Sequence, residues 1–227
     1  MPTAPTLGNW IGLYALGLIW GASFLGVALA LDGFGPVSIA AGRIALGAVT
    51  LGAVALIARI PLPRDPVIWA FTAAMAILSN ALPFFLLGWS QQHVTSGFAG
   101  ITMAAIPLFV IGLAHAFVPG ERLTRAKAMG FAIGLVGVAV LIGPGVLTTT
   151  GSALESLARF GCLAASLSYA VGAIVTRRCP QVHPVAFGVM ALGIASLVMV
   201  PLALMVEGLP ANPAPVAWGA LIYLGLL

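Results

Sequence analysis

The chain has 227 residues, 61% of them hydrophobic and only 6% charged, with a formal net charge of +4. Soluble domains carry roughly 25% charged residues, so a water-soluble globule is excluded, and the length is better divided into membrane crossings of about 20 residues each. Nine Lys and Arg against five Asp and Glu then read as basic cytoplasmic loops rather than as a nucleic-acid surface.

The first predicted span runs from about Trp10 to Leu31; it lacks a basic leader and runs into further apolar helices, so it is kept as a span and not a secretory signal. Trp20 sits in mid-span, away from the interface where tryptophans gather, and Ser23 follows three residues on along the same face. The pair can line a pathway or simply pack. The second span covers Pro36 to Ala58 and holds Arg43, the only charge well inside a span, about 10 Å from the start of its helix. A charge at that depth is costly, and two roles compete for it: a cavity-facing cation that attracts a substrate carboxylate, or an arginine that snorkels outward or bonds helix carbonyls. Asn80 and Pro83 interrupt the third span, Val67 to Ser90. The proline removes a backbone donor and frees a carbonyl that must find a partner, which marks either a binding site in a broken helix or a plain kink. Gln91, Gln92 and His93 follow and are expected in a solvated outside loop.

Span four, Ser96 to Val118, carries Pro107 and, near it, Met103, a cavity residue or a gap-filler. Glu121, Arg122, Arg125 and Lys127 form a charged turn before span five, Lys127 to Ile142, whose Gly130, Gly134 and Gly137 suit packing within the monomer or a homodimer face. Gly17 and Gly21 in the first span have the same close-packing spacing. Span six, Leu157 to Thr176, contains Tyr169; span seven runs from Pro184 to Val206, and an eighth starts at Pro215 and reaches Leu227. None of these runs alternates polar and apolar residues, so an all-α polytopic bundle is expected and a β-barrel is not. Flanking Arg59, Arg64, Arg122, Arg125, Lys127, Arg177 and Arg178 fall on one side and Arg159 on the other, which places the N-terminus in the cytoplasm. Cys162 and Cys179 match no metal or disulfide spacing.

Comparing the chain with itself gives three anchors at nearly one offset. Leu18 to Ser23 aligns with Leu167 to Gly172, Pro36 with Pro184, and Pro66-Val67-Ile68-Trp69 with Pro215-Val216-Ala217-Trp218. Trp20 thereby pairs with Tyr169. The repeat contains five spans, an odd number, so the second copy enters the bilayer inverted. Residues 1–146 are read as the first repeat and 147–227 as a second, C-terminally incomplete one. A complete protein of ten spans and roughly 290 to 300 residues is expected, with this sequence truncated within the eighth.

Ile19-Trp20-Gly21-Ala22-Ser23-Phe24, the Pro36 to Arg43 stretch, Gln92-His93-Val94 through Pro107-Leu108-Phe109, and Gly120-Glu121-Arg122-Leu123-Thr124 followed by Gly130 to Gly143 resemble the EamA family of the drug/metabolite transporter superfamily. The resemblance implies ten helices in two inverted five-helix halves around a central cavity, alternating access, and export of amino acids and other small metabolites. On this reading the protein is a secondary transporter of the inner membrane and not an enzyme. Trp20, Ser23, Arg43, Asn80, Pro83, Met103 and Tyr169 are its substrate-pathway residues, and no cofactor, metal or nucleic acid takes part. Its partners are the lipid bilayer and a small metabolite. The alternatives are a non-transporting receptor or assembly subunit and, more remotely, an intramembrane enzyme, for which no placed nucleophile and base are found. No Gly-Lys-Ser/Thr phosphate loop occurs. The absence of Asp or Glu deep in any span argues against a fixed-carboxylate site for multidrug cations.

Overall fold

A computed structural model describes residues 6–118, 120, 124–142 and 152–226. Glu121, Arg122 and the junction expected at 146–147 lie outside the described residues. Among those residues every regular element is helical: α1 (Leu7–Leu31), α2 (Pro36–Ile57), α3 (Pro66–Ser90), α4 (Ser96–Phe117), α5 (Arg125–Ile142), α6 (Ala153–Arg178), α7 (Pro184–Val206) and α8 (Pro215–Leu226). Six of them, α1 to α4, α6 and α7, are long and apolar enough to cross a membrane, and the chain is a multi-pass membrane protein.

Local chemistry sets where the helices start. Thr6, Asp65 and Thr95 each accept a backbone N–H through the side-chain oxygen, and His183 does so through a ring nitrogen. Proline opens α2, α3, α7 and α8, at the one turn where a missing N–H costs nothing. Several helices outrun their apolar cores. The cap at Thr6 starts α1 three residues before Trp10, and α6 extends to Ala153 and Arg178 because polar first and last turns, including the Glu155–Arg159 ion pair, stay helical beyond the hydrocarbon.

α2 begins differently. Its N-cap is Gly35, which has no side chain to offer. Glu207, just past the end of α7, supplies the acceptors instead, its two carboxylate oxygens taking Val37 N–H at 2.9 Å and Ser38 N–H at 2.8 Å. The negative charge also faces the positive end of the helix. A Cβ at residue 35 would lie 2.2 Å from the Glu207 carboxyl carbon, so the glycine makes room for this contact.

Three helix pairings organise the bundle. α2 packs along α7 through Val37, Ala40, Ala41 and Ile44 against Ala195, Met199 and Ala203. α1 meets α8 through Val27 and Ala30 against Ala217, Leu221 and Leu224, and α3 meets α6 around Leu87, Cys162 and Ala165. Small residues let backbones close up: a Cβ on Gly172 would lie 2.2 Å from Ser79 Oγ, and one on Gly225 would lie 2.4 Å from Leu46 Cβ. Gly17 and Gly21, expected to close-pack, have no neighbour within 4 Å of such a Cβ. Leu13, Leu56, Leu197 and Met205 are exposed, as suits a lipid-facing perimeter.

The loops sort to two ends. Arg178 donates to the Phe117 carbonyl, joining the last turns of α6 and α4. At the opposite end Glu207 holds the start of α2, and Gly88 near the end of α3 packs on Pro36.

Candidate functional site

A cavity of about 980 Å³ opens among α1, α2, α3, α4, α6, α7 and α8. Trp20, Ser23, Arg43, Asn80, Met103 and Tyr169 all line it. Pro83 does not; it is fully buried beside the cavity wall.

Two helix irregularities shape the wall, and both sit next to prolines. In α3, residues Ala76–Ala81 form a π-helical stretch in which Leu82 N–H reaches back to the Ile77 carbonyl. The next bond in that register would run from residue 83 to Leu78, but proline has no N–H to give. Ser168 of α6 fills the gap, its hydroxyl donating to the Leu78 carbonyl at 2.8 Å. Asn80 donates its amide to the Met75 carbonyl of its own helix at 3.1 Å. In α4, Met103–Ala105 tighten into a 3-10 turn before Pro107. Ile106 N–H goes to Met103, and the Ser166 hydroxyl lies 3.1 Å from both the Thr102 carbonyl of this turn and the Cys162 carbonyl of its own helix. The serines of α6 are structural: Ser168 serves the carbonyl that Pro83 releases, and Ser166 is shared between its own helix and the tightened turn of α4.

Arg43 projects from α2 into the cavity. Its guanidinium carbon stands 3.7 Å from the centroid of the Phe84 ring, an energetically favourable cation–π placement. Among the described residues it makes no hydrogen bond to a helix carbonyl and meets no carboxylate. Tyr169 of α6 lines the same cavity within electrostatic reach of it. The guanidinium thus rests over a ring while its N–H donors stay unspent among the described residues, and such donors can receive a carboxylate.

Ser23 turns its hydroxyl back to the Trp20 carbonyl at 2.6 Å, and Trp20 itself is 62% exposed at the cavity margin. Met103 and Tyr169 pack against the Leu87–Cys162 cluster. Sequence reasoning passed over Phe84, which has no polar atom to draw notice, and set aside Gln91 as a solvated loop residue. Gln91 is instead only 9% exposed and lines the cavity.

The sequence profile of the EamA-like transporter family matches residues 8–143. Over 214 residues the chain is 29% identical to a probable terminal-alkyne amino-acid exporter of Streptantibioticus cattleyicolor, spanning 92% of this chain and 68% of that one. It is 26% identical over 217 residues to the uncharacterized inner membrane transporter YedA of Escherichia coli K12, covering 94% and 68%. A solved crystal structure with 21% identity superposes with a TM-score of 0.68 over 92% of this chain and 70% of the other, a likeness of fold. With the profile match covering more than half its length, the chain belongs to the EamA-like transporter family.

Proposed function

We propose that the protein is a secondary transporter that exports small carboxylate-bearing metabolites, amino acids first among them, by alternating access. The observation that carries this reading is the Arg43 guanidinium, stacked on Phe84 inside a cavity of about 980 Å³ with no acidic partner among the described residues. A cation kept at a cost in a membrane interior is in general there for an anion. The amino-acid exporter among the relatives agrees with this class.

On this reading the helices belong to two inverted five-helix repeats, 1–146 and 147 onward, within a ten-span architecture. Support comes from the pairing pattern. Exchanging α1 with α6, α2 with α7 and α3 with α8 converts the α1–α8 contact into the α6–α3 contact and leaves α2–α7 unchanged. The N-terminus is cytoplasmic in this arrangement, since the basic ends of α2, α4 and α6 then face inward. Substrate occupies the cavity while the halves exchange openings, and the gradient sets direction.

Counterflow in proteoliposomes tests the proposal. Preloaded unlabelled amino acid should accelerate uptake of its labelled form, and Arg43→Gln should abolish the effect. Equal counterflow with and without the Arg43 side chain would remove the reading.

A further inference from the structure

Asn80, Phe84 and Leu87 of α3 and Gln91, the residue that caps its C-terminus in helical conformation, recur at intervals of four, three and four, and all four line the cavity. That spacing defines one face of a helix. Phe84 marks the level of Arg43, and Gln91 lies two turns further on, about 10 Å along the axis. Leu87, buried and apolar, separates them.

The Gln91 side chain is buried, yet among the described residues neither its amide nitrogen nor its amide oxygen has a hydrogen-bonding partner. Native proteins seldom leave both polar atoms of a buried carboxamide unserved, because each forfeits its hydration without return. A leucine would fill the position without that penalty. The amide is therefore in the position of a binding group whose partner arrives with the ligand.

We infer that Gln91 is a specificity-determining residue, forming a second polar subsite that selects ligands whose carboxylate lies at Arg43 and whose other end bears a neutral donor–acceptor group, a carboxamide above all. One Gln91 atom accepts and the other donates, so a carboxamide satisfies both at once, while a carboxylate or an alkyl end leaves one or both unserved. The inference rests on the carboxylate reading of Arg43, and sites built to hydrogen-bond a ligand discriminate strongly against analogues that lack the group.

Equilibrium binding of L-glutamine and its unbranched apolar counterpart L-norleucine to the purified chain in lipid nanodiscs tests it. Wild type should hold glutamine at least tenfold more tightly. Gln91→Leu should erase that ratio by losing glutamine affinity while keeping norleucine, and should melt no lower than wild type. Gln91→Asn should retain part of the preference. Arg43→Gln should weaken both ligands and leave their ratio intact. Equal affinities in wild type, or a ratio that survives Gln91→Leu, overturns the Gln91 assignment. Undiminished binding to Arg43→Gln overturns the carboxylate reading beneath it, and saturable binding of neither ligand overturns both.

Discussion

The bond from Ser168 to Leu78 makes a prediction that a simple contact count would not. Ser168 is buried, and its hydroxyl serves a carbonyl that α3 cannot serve itself because residue 83 is proline. Ser168→Ala leaves that carbonyl buried without a donor, which costs about 1–3 kcal/mol by general experience; hydrogen bonds between membrane helices average about 0.6 and reach about 1.7. A loss of about 1–2 kcal/mol is expected. In a Pro83→Ala background the cost should fall to a few tenths. There α3 can revert to α-helical register, and Leu82 N–H, now spent on Ile77, can return to Leu78. The coupling energy between the two sites should therefore be about 1 kcal/mol or more. Reversible unfolding of the four proteins in bicelles, followed by steric trapping, measures it. If Ser168→Ala costs the same whether or not residue 83 is proline, the carbonyl is not orphaned by the proline and the account of the broken helix fails.

Four further outcomes follow from the structure. Glu207→Gln should destabilise the protein by about 1–2 kcal/mol through the loss of charge at the α2 N-terminus. Gly35→Ala should cost a similar amount by displacing the same carboxylate, and the double variant should be clearly less than additive; full additivity in unfolding titrations would separate the two residues. Replacing Arg43 with Lys keeps the charge but loses the planar stack on Phe84, so carboxylate counterflow should drop about tenfold or more, whereas a fully active lysine variant would make the ring contact irrelevant. Burial pushes the Cys179 thiol up, and Asp65 adds to the rise. At pH 8 less thiolate is present than in free cysteine, maleimide labelling should lag accordingly, and Asp65→Asn should speed it by less than about tenfold; an unchanged rate would refute the carboxylate's part. Labelling of intact cells with an impermeant maleimide should fail until permeabilisation if the ends of α2, α4 and α6 are cytoplasmic.

Much of the helix order was legible because an apolar run of spanning length in a chain with 6% charged residues permits little else. The helix ends were less so. Apolar runs stop at the hydrocarbon boundary, whereas hydrogen bonding stops at a cap, which is why α6 outran its expected bounds at both termini. The same limit applies to the site. Trp20, Ser23, Arg43, Asn80 and Tyr169 stood out as polar or aromatic groups in apolar surroundings and Met103 as the neighbour of Pro107, and the fold gathers them at one cavity. Pro83 stood out as a proline within a span, and it acts on the backbone, away from the lining. Gln91 was misplaced because its neighbours Gln92 and His93 gave it a loop's composition, while its burial depends on how α3 meets the rest of the bundle. Nothing local in sequence could supply that, and the pairing of Arg43 with Phe84 across two helices was hidden for the same reason.

The two serines of α6 also constrain motion. Ser166 reaches the irregular turn of α4 and Ser168 the irregular turn of α3, two residues apart on one stiff rod. The irregular stretches of both helices therefore lie against a common lever. A tilt of α6 acts on each of them in the same stroke, which couples the cavity walls that they carry.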